Sequence, residues 1–142
     1  MSNEKTTNIP PTDLEKLEET VDEMLVLEQA AQKETDIGVY IHELKTPFVW
    51  EGKTYEKLEF RWDALTGMDH LNIESELLLQ GKTLVIPEYT GGYLLGMAVR
   101  ACTERNEKGH RVLDAKAFQA LPLGDFMRIS KRARTFLLRV GR

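Results

Sequence analysis

The chain has 142 residues, 42% of them apolar and 30% charged, which suits one domain with a proper core and excludes disorder over most of the length. Cys102 is the single cysteine, which excludes an internal disulfide framework and a cysteine-rich zinc pattern and fits a reducing compartment. The net charge of −4 is unevenly spread: residues 1–36 hold ten acids against three lysines, a balance of −7, whereas residues 123–142 hold six basic residues against Asp125 alone, a balance of +5. Such polarity points to a charged partner, or to one end meeting the other.

Met1–Pro10 is polar and lacks the basic start, apolar middle and cleavage site of a secretory signal. The longest apolar runs, such as Met24–Leu27, fall far short of the roughly 20 residues of a membrane span, so a cytoplasmic protein is expected. Thr12-Asp13-Leu14-Glu15 forms a capping box, and Leu14, Leu17, Val21 and Met24 follow at steps of three and four, with Leu25 and Ala31 extending the stripe. An acidic amphipathic helix is expected to end between Lys33 and Gly38. Two readings of this arm stay open: a lid over the chain's own basic helix, or a helix that pairs between copies. Removing residues 1–36 is expected to leave a folded domain with a more exposed basic face and altered self-association. Retention of a cooperative thermal transition checks this, and its loss would place the arm in the core.

From Val39 the pattern changes to β-branched and aromatic residues, Val39-Tyr40-Ile41 and then Phe48-Val49-Trp50. Glu51-Gly52-Lys53 reads as a turn into Tyr55, Leu58 and Phe60, and Pro47 limits pairing at its own position. A β-hairpin or three-strand meander results, which needs cover on its apolar face. Thr66 and Asp69 can cap a helix to about Gln80, whose apolar content is Leu71, Ile73, Leu77, Leu78 and Leu79, with Gly81 as its stop. Lys82–Pro87 reads as an extended link. Thr90-Gly91-Gly92 opens a helix with the face Leu94, Met97, Ala98, Ala101 and Cys102, ending near Asn106. After the hydrophilic loop Glu107–His110, Asp114 caps a short helix through Ala120, and Leu121-Pro122 interrupts it. The last helix, about Gly124 to Val140, is expected to bury Phe126, Ile129, Ala133, Phe136, Leu137 and Val140 and to show its basic residues outward.

His42, His70 and His110 fall on a strand, a helix and a loop without ligand spacing, so no metal is expected, and His42 and His70 read as ordinary partly buried or surface residues. Cys102 on an apolar helix face reads as an inert buried thiol. Gly91, Gly92 and Gly96 lack the pattern of a phosphate loop; Gly92 and Gly96, one turn apart, read as a notch for a close neighbour. The paired carboxylates of the arm lie on a solvated face with no means of raising one pKa. No catalytic residue and no cofactor is expected, and the chain reads as a binding protein rather than an enzyme. Lys131-Arg132-Ala133-Arg134 can bind nucleic-acid phosphate, but the acidic chain disfavours DNA, so a solvated or protein-binding face is preferred.

The run from His42 to Arg61, with its Lys45-Thr46-Pro47 step, Gly52-Lys53 turn and Leu58-Glu59-Phe60-Arg61 strand, resembles the opening of the tail assembly chaperones of Mu-like and related contractile-tailed phages. Ala120-Leu121-Pro122-Leu123-Gly124-Asp125-Phe126 is similar to that family's short break and Asp before the last helix. The resemblance covers about residues 39–140; the arm is extra, and the loops 81–92 and 107–112 are long for the family. It implies binding of the tape measure protein in the host cytoplasm, recruitment of tail tube protein, departure before the virion is complete, and often a longer frameshifted product. The physical mode would be helix-in-groove binding to mask amphipathic helices, gaining from repeated weak contacts. Candidate contacts are Trp50, Tyr55, Tyr89, Tyr93, Met97, Arg128, Arg132 and Arg139, with a core role competing for each aromatic.

The expected architecture is α+β: a helical arm over residues 1–36, then one domain over 37–142 with a small hairpin or meander and a bundle of about four helices. Self-association fits this reading. The alternatives are a structural tail protein retained in the virion and a nucleic-acid-binding regulator using the basic C-terminal helix.

Overall fold

The structure, a computed structural model, describes residues 37–140, and the helix expected over the acidic arm lies outside them. Alternation from Val39 onward produces an antiparallel hairpin of β1 (Val39–Trp50) and β2 (Lys53–Arg61). The two-residue turn Glu51-Gly52 has φ of 48° and 81°, the left-handed pair whose twist matches the flanking strands. Among the described residues the sheet has two strands, so the hairpin alternative holds and the meander does not. Pro47 cannot donate to a ladder, and the register shifts between Glu43 and Phe48, around it.

A 3-10 turn, Trp62–Ala64, leads to α1 (Gly67–Leu79). Its cap is the expected one: the Thr66 hydroxyl accepts from Asp69 N at 3.4 Å, and the Asp69 carboxylate accepts from Thr66 N at 2.8 Å. Burial pushes the Asp69 carboxyl up, but the Thr66 amide and hydroxyl, together with Arg100, hold it below the usual range. A depressed folded pKa stabilises the fold above the unfolded value of about 3.9, and that contribution is lost as the pH falls through the folded pKa. Thr66→Ala is therefore expected to cost about 1 kcal/mol at neutral pH, with the gap from wild type narrowing in acid. Urea unfolding at both pH values checks this, and equal midpoints at neutral pH would refute the cap.

Gly81, with φ of 77°, closes α1: Lys82 N donates to Leu77 O and Gly81 N to Leu78 O, each at 2.9 Å. After a 3-10 turn at Pro87–Tyr89, α2 (Gly91–Ala101) packs tightly on α1. A Cβ on Gly92 would lie 2.9 Å from Leu77 Cδ2, and one on Gly96 would lie 2.8 Å from Ile73 Cγ2, so the glycine notch receives α1. The helix stops at Ala101 rather than near Asn106, because Cys102 turns extended and joins the sheet edge. Thr103 N donates to Glu59 O at 3.0 Å, and Phe60 and Cys102 form an antiparallel bridge. Tertiary pairing ends this helix, and helical periodicity could not foresee it.

In the following loop the Asn106 side chain accepts from the amides of Lys108 and His110, both at 2.9 Å. The short helix α3 (Ala115–Gln119) is capped by Asp114, which accepts from Ala117 N at 2.9 Å, and α4 (Leu123–Val140) follows. Leu58, Phe60 and Trp62 from the hairpin side meet Leu94 and Met97 of α2, Phe118 of α3, and Ile129 and Ala133 of α4. The architecture is α+β, a hairpin covered by four helices. The expected burial of Val140 fails, since it is exposed. Of the apolar content of α1 only Ile73 and Leu77 are buried, with Leu71, Leu78 and Leu79 facing outward.

Candidate protein-binding surface

Helical period places Asp125 on the same face of α4 as Ile129 and Ala133, and strand alternation places His42 in phase with Tyr40 and Leu44. Packing α4 on the hairpin therefore brings two polar side chains into the core, at 1% and 3% exposure. His42 Nε2 lies 2.8 Å from Asp125 Oδ1, and the Tyr40 hydroxyl lies 2.7 Å from His42 Nδ1. A carboxylate only accepts, so in the neutral ring Nε2 donates to Asp125 and Nδ1 accepts from Tyr40, which satisfies both nitrogens. The same Asp125 oxygen accepts from Arg128 Nη2 at 3.1 Å. Burial raises the Tyr40 phenol despite the nearby guanidiniums of Arg132 and Arg128. His42 is thus fully buried, against the expectation of an ordinary partly buried or surface residue. A polar residue in phase with an apolar stripe, on both elements, was the sign in the sequence.

The basic face of α4 is partly engaged within the chain. The Arg132 guanidinium stacks 4.7 Å over the Tyr40 ring; that of Arg134 lies 5.3 Å over Tyr89, and its Nε donates to Glu88 O at 2.9 Å. Lys131 and Arg139 extend into solvent.

The eight residues expected to contact a partner do not form one site. Tyr55, Tyr93 and Met97 are buried and are corrected to core residues: each lies on the inward face of its element, and the Tyr93 hydroxyl is held by His70 Nδ1. Trp50 is half-buried, stacks on Phe48 at 6.1 Å, and has a buried Nε1 with no partner among the described residues. Tyr89 is exposed near the start of α2, whereas Arg128, Arg132 and Arg139 lie along α4. Cys102 is buried, and burial pushes its thiol up to about 11, far from a thiolate at neutral pH. His110 is exposed in the loop before α3.

Sequence reasoning missed the outer face of α1. Met68, Leu71 and Leu78, at helical spacing, share one side of this helix with Leu79, and all four are exposed, Leu79 at 88%. Val85 and Ile86, in the link after α1, are exposed as well. The sign was an excess: six apolar residues on one helix of thirteen are more than a single buried stripe takes. A cavity of about 170 Å³ opens where α1, α2 and α3 meet, floored by Ile73, Leu77 and Leu95 beside the glycine notch. Arg100 at its rim is tied to Asp69 at 3.4 Å and to Glu76 at 2.7 Å.

Among the described residues no three His, Cys, Asp or Glu side chains are grouped to hold a metal ion, and no helix is long and apolar enough to cross a membrane. Set against family models, curated proteins and solved structures, the chain matches none.

Proposed function

We propose that this chain is a phage tail assembly chaperone, a non-enzymatic protein that binds the tape measure protein in the host cytoplasm and helps recruit tail tube subunits. The observation that carries this reading is the outer face of α1, where Met68, Leu71, Leu78 and Leu79 leave an apolar stripe in solvent on a helix whose cap and inner face are fully satisfied. Removing such a stripe from water is worth roughly 25 cal/mol per Å², so a protein that keeps it exposed has a use for it. An amphipathic client helix laid along α1 would meet apolar side chains at its own spacing. The resemblance over His42–Arg61 and Ala120–Phe126 supplies the identity of the client. The net charge of −4 weakens the reading as a nucleic-acid-binding regulator.

Co-expression tests the proposal. The full chain should keep the tape measure protein of the same phage soluble, and Leu71→Glu with Leu78→Glu should abolish this while leaving the thermal transition of the chain unchanged, since both side chains are exposed. Equal solubilisation by the double variant would refute α1 as the client surface. Mass spectrometry of mature virions should find the chain missing, and stoichiometric retention would make it a structural tail protein instead.

A further inference from the structure

The hairpin has an edge as well as a face. Thr103 N donates to Glu59 O at 3.0 Å on the far side of β2, so the backbone of Glu59 is turned away from β1. The N–H and C=O of one strand residue point to the same side, and the residue opposite, Ile41, therefore turns both away from β2. By the two-residue period Val39 and Glu43 do the same. Three donors and three acceptors thus line the outer edge of β1, where no strand pairs with it among the described residues. Sheet edges are usually blunted by Lys, Pro or a bulge. Here Lys45, Pro47 and the register shift blunt only the stretch after Glu43.

A shallow open cleft of about 590 Å³ runs along this edge, lined by residues 40–45 and Arg128. Its charges are fixed by the core beside it. Arg128 is held in place by Asp125 and, through Nε, by Gly124 O at 3.3 Å, and Lys45 is exposed at the other end; Arg132, outside the lining, is stacked on the Tyr40 ring that borders it. Glu43 is the one carboxylate in the lining.

We infer that the outer edge of β1 is a docking site for an extended acidic segment of a partner protein, added as a third strand with its carboxylates toward Arg128, Arg132 and Lys45. Main-chain bonds to Val39, Ile41 and Glu43 supply affinity, and the cations select the sequence. A second copy fits poorly, because it would bring the same edge with one carboxylate, Glu43, rather than a run of them. This site goes beyond the chaperone reading and does not depend on it, since a helical client on α1 uses a different element.

The probe is a fluorescein-labelled octapeptide of alternating Glu and Val, measured by fluorescence anisotropy with the full chain, against the same peptide with Lys for Glu. The acidic peptide should bind, the basic one should not, and hydrogen exchange at the Ile41 and Glu43 amides should slow in the complex. Ile41→Pro deletes an outward N–H and leaves the β1–β2 ladder its bonds. It should weaken binding at least about tenfold, the equivalent of one hydrogen bond, while Ile41→Ala should bind as wild type does. Lys45→Ala and Arg132→Ala should each weaken binding and reduce its salt dependence. If Ile41→Pro does not fold, the exchange rates in the wild-type chain decide the matter. The inference is overturned if the acidic peptide does not bind at millimolar concentration, if both peptides bind equally, if exchange at the two amides is unchanged, or if a dimer sensitive to Ile41→Pro occupies the edge.

Discussion

Asp125→Ala is expected to lower the free energy of unfolding by about 3 kcal/mol, because it leaves the buried His42 Nε2 without an acceptor and takes from Arg128 the carboxylate that held it. The Asp125 oxygen is the shared acceptor of a chain running Tyr40, His42, Asp125 and Arg128, so its loss strips partners from two elements at once. His42→Leu alone should also be costly, because Asp125 then keeps only Arg128. The combination His42→Leu with Asp125→Ala should cost less than the two single losses together, since it removes both partners and leaves neither facing an unpaired polar group. Urea unfolding of the four proteins measures the cycle. A loss under about 1 kcal/mol for Asp125→Ala would mean that water reaches the carboxylate, contrary to its burial.

Phe60→Ala should be of similar size, about 3–5 kcal/mol. Phe60 is fully buried and touches three other rings: Tyr40 at 6.2 Å, Trp62 at 5.1 Å and Phe118 at 5.9 Å between centroids. It is the joint where the hairpin, the turn after it and α3 meet, so truncation opens a cavity and removes aromatic pairs worth about 0.5–1.5 kcal/mol each beyond area. Ile41→Ala on the solvent face of the same sheet is the control, expected within about 0.5 kcal/mol of wild type. Thermal and urea denaturation of the two variants side by side check the contrast. Equal effects would show that the hairpin is not anchored through Phe60.

The elements legible before the structure were those whose causes are local. The Thr66–Asp69 box, the Asp114 cap, the Glu51-Gly52 turn and the glycine stop at Gly81 each act over a few residues, and each stands where its side chains place it. The glycine notch was legible too, because Gly92 and Gly96 are one turn apart and only a close neighbour explains two such residues on one face. The candidate sites were less legible. Tyr55, Tyr93 and Met97 have the composition of partner contacts, yet residue type does not reveal which way an aromatic faces, and packing turned all three inward. Met68, Leu71, Leu78 and Leu79 were the reverse case: the sequence marked the helix as rich in apolar residues without saying which face they take, and the packing of α2 left these four outside.

Of the basic and acidic poles in the primary structure, the basic one has acquired definite partners. The sequence by itself determined that α4 is amphipathic and cationic, because period and charge are properties of the chain. Only the tertiary structure decided that Asp125 is the buried anchor of that helix, that Arg128 and Arg132 stand beside the open edge of β1, and that α2 ends at Ala101 to pair with β2. Those outcomes depend on contacts between residues far apart in sequence, such as His42 with Asp125 and Thr103 with Glu59, and no local propensity encodes which distant group will supply the missing hydrogen bond.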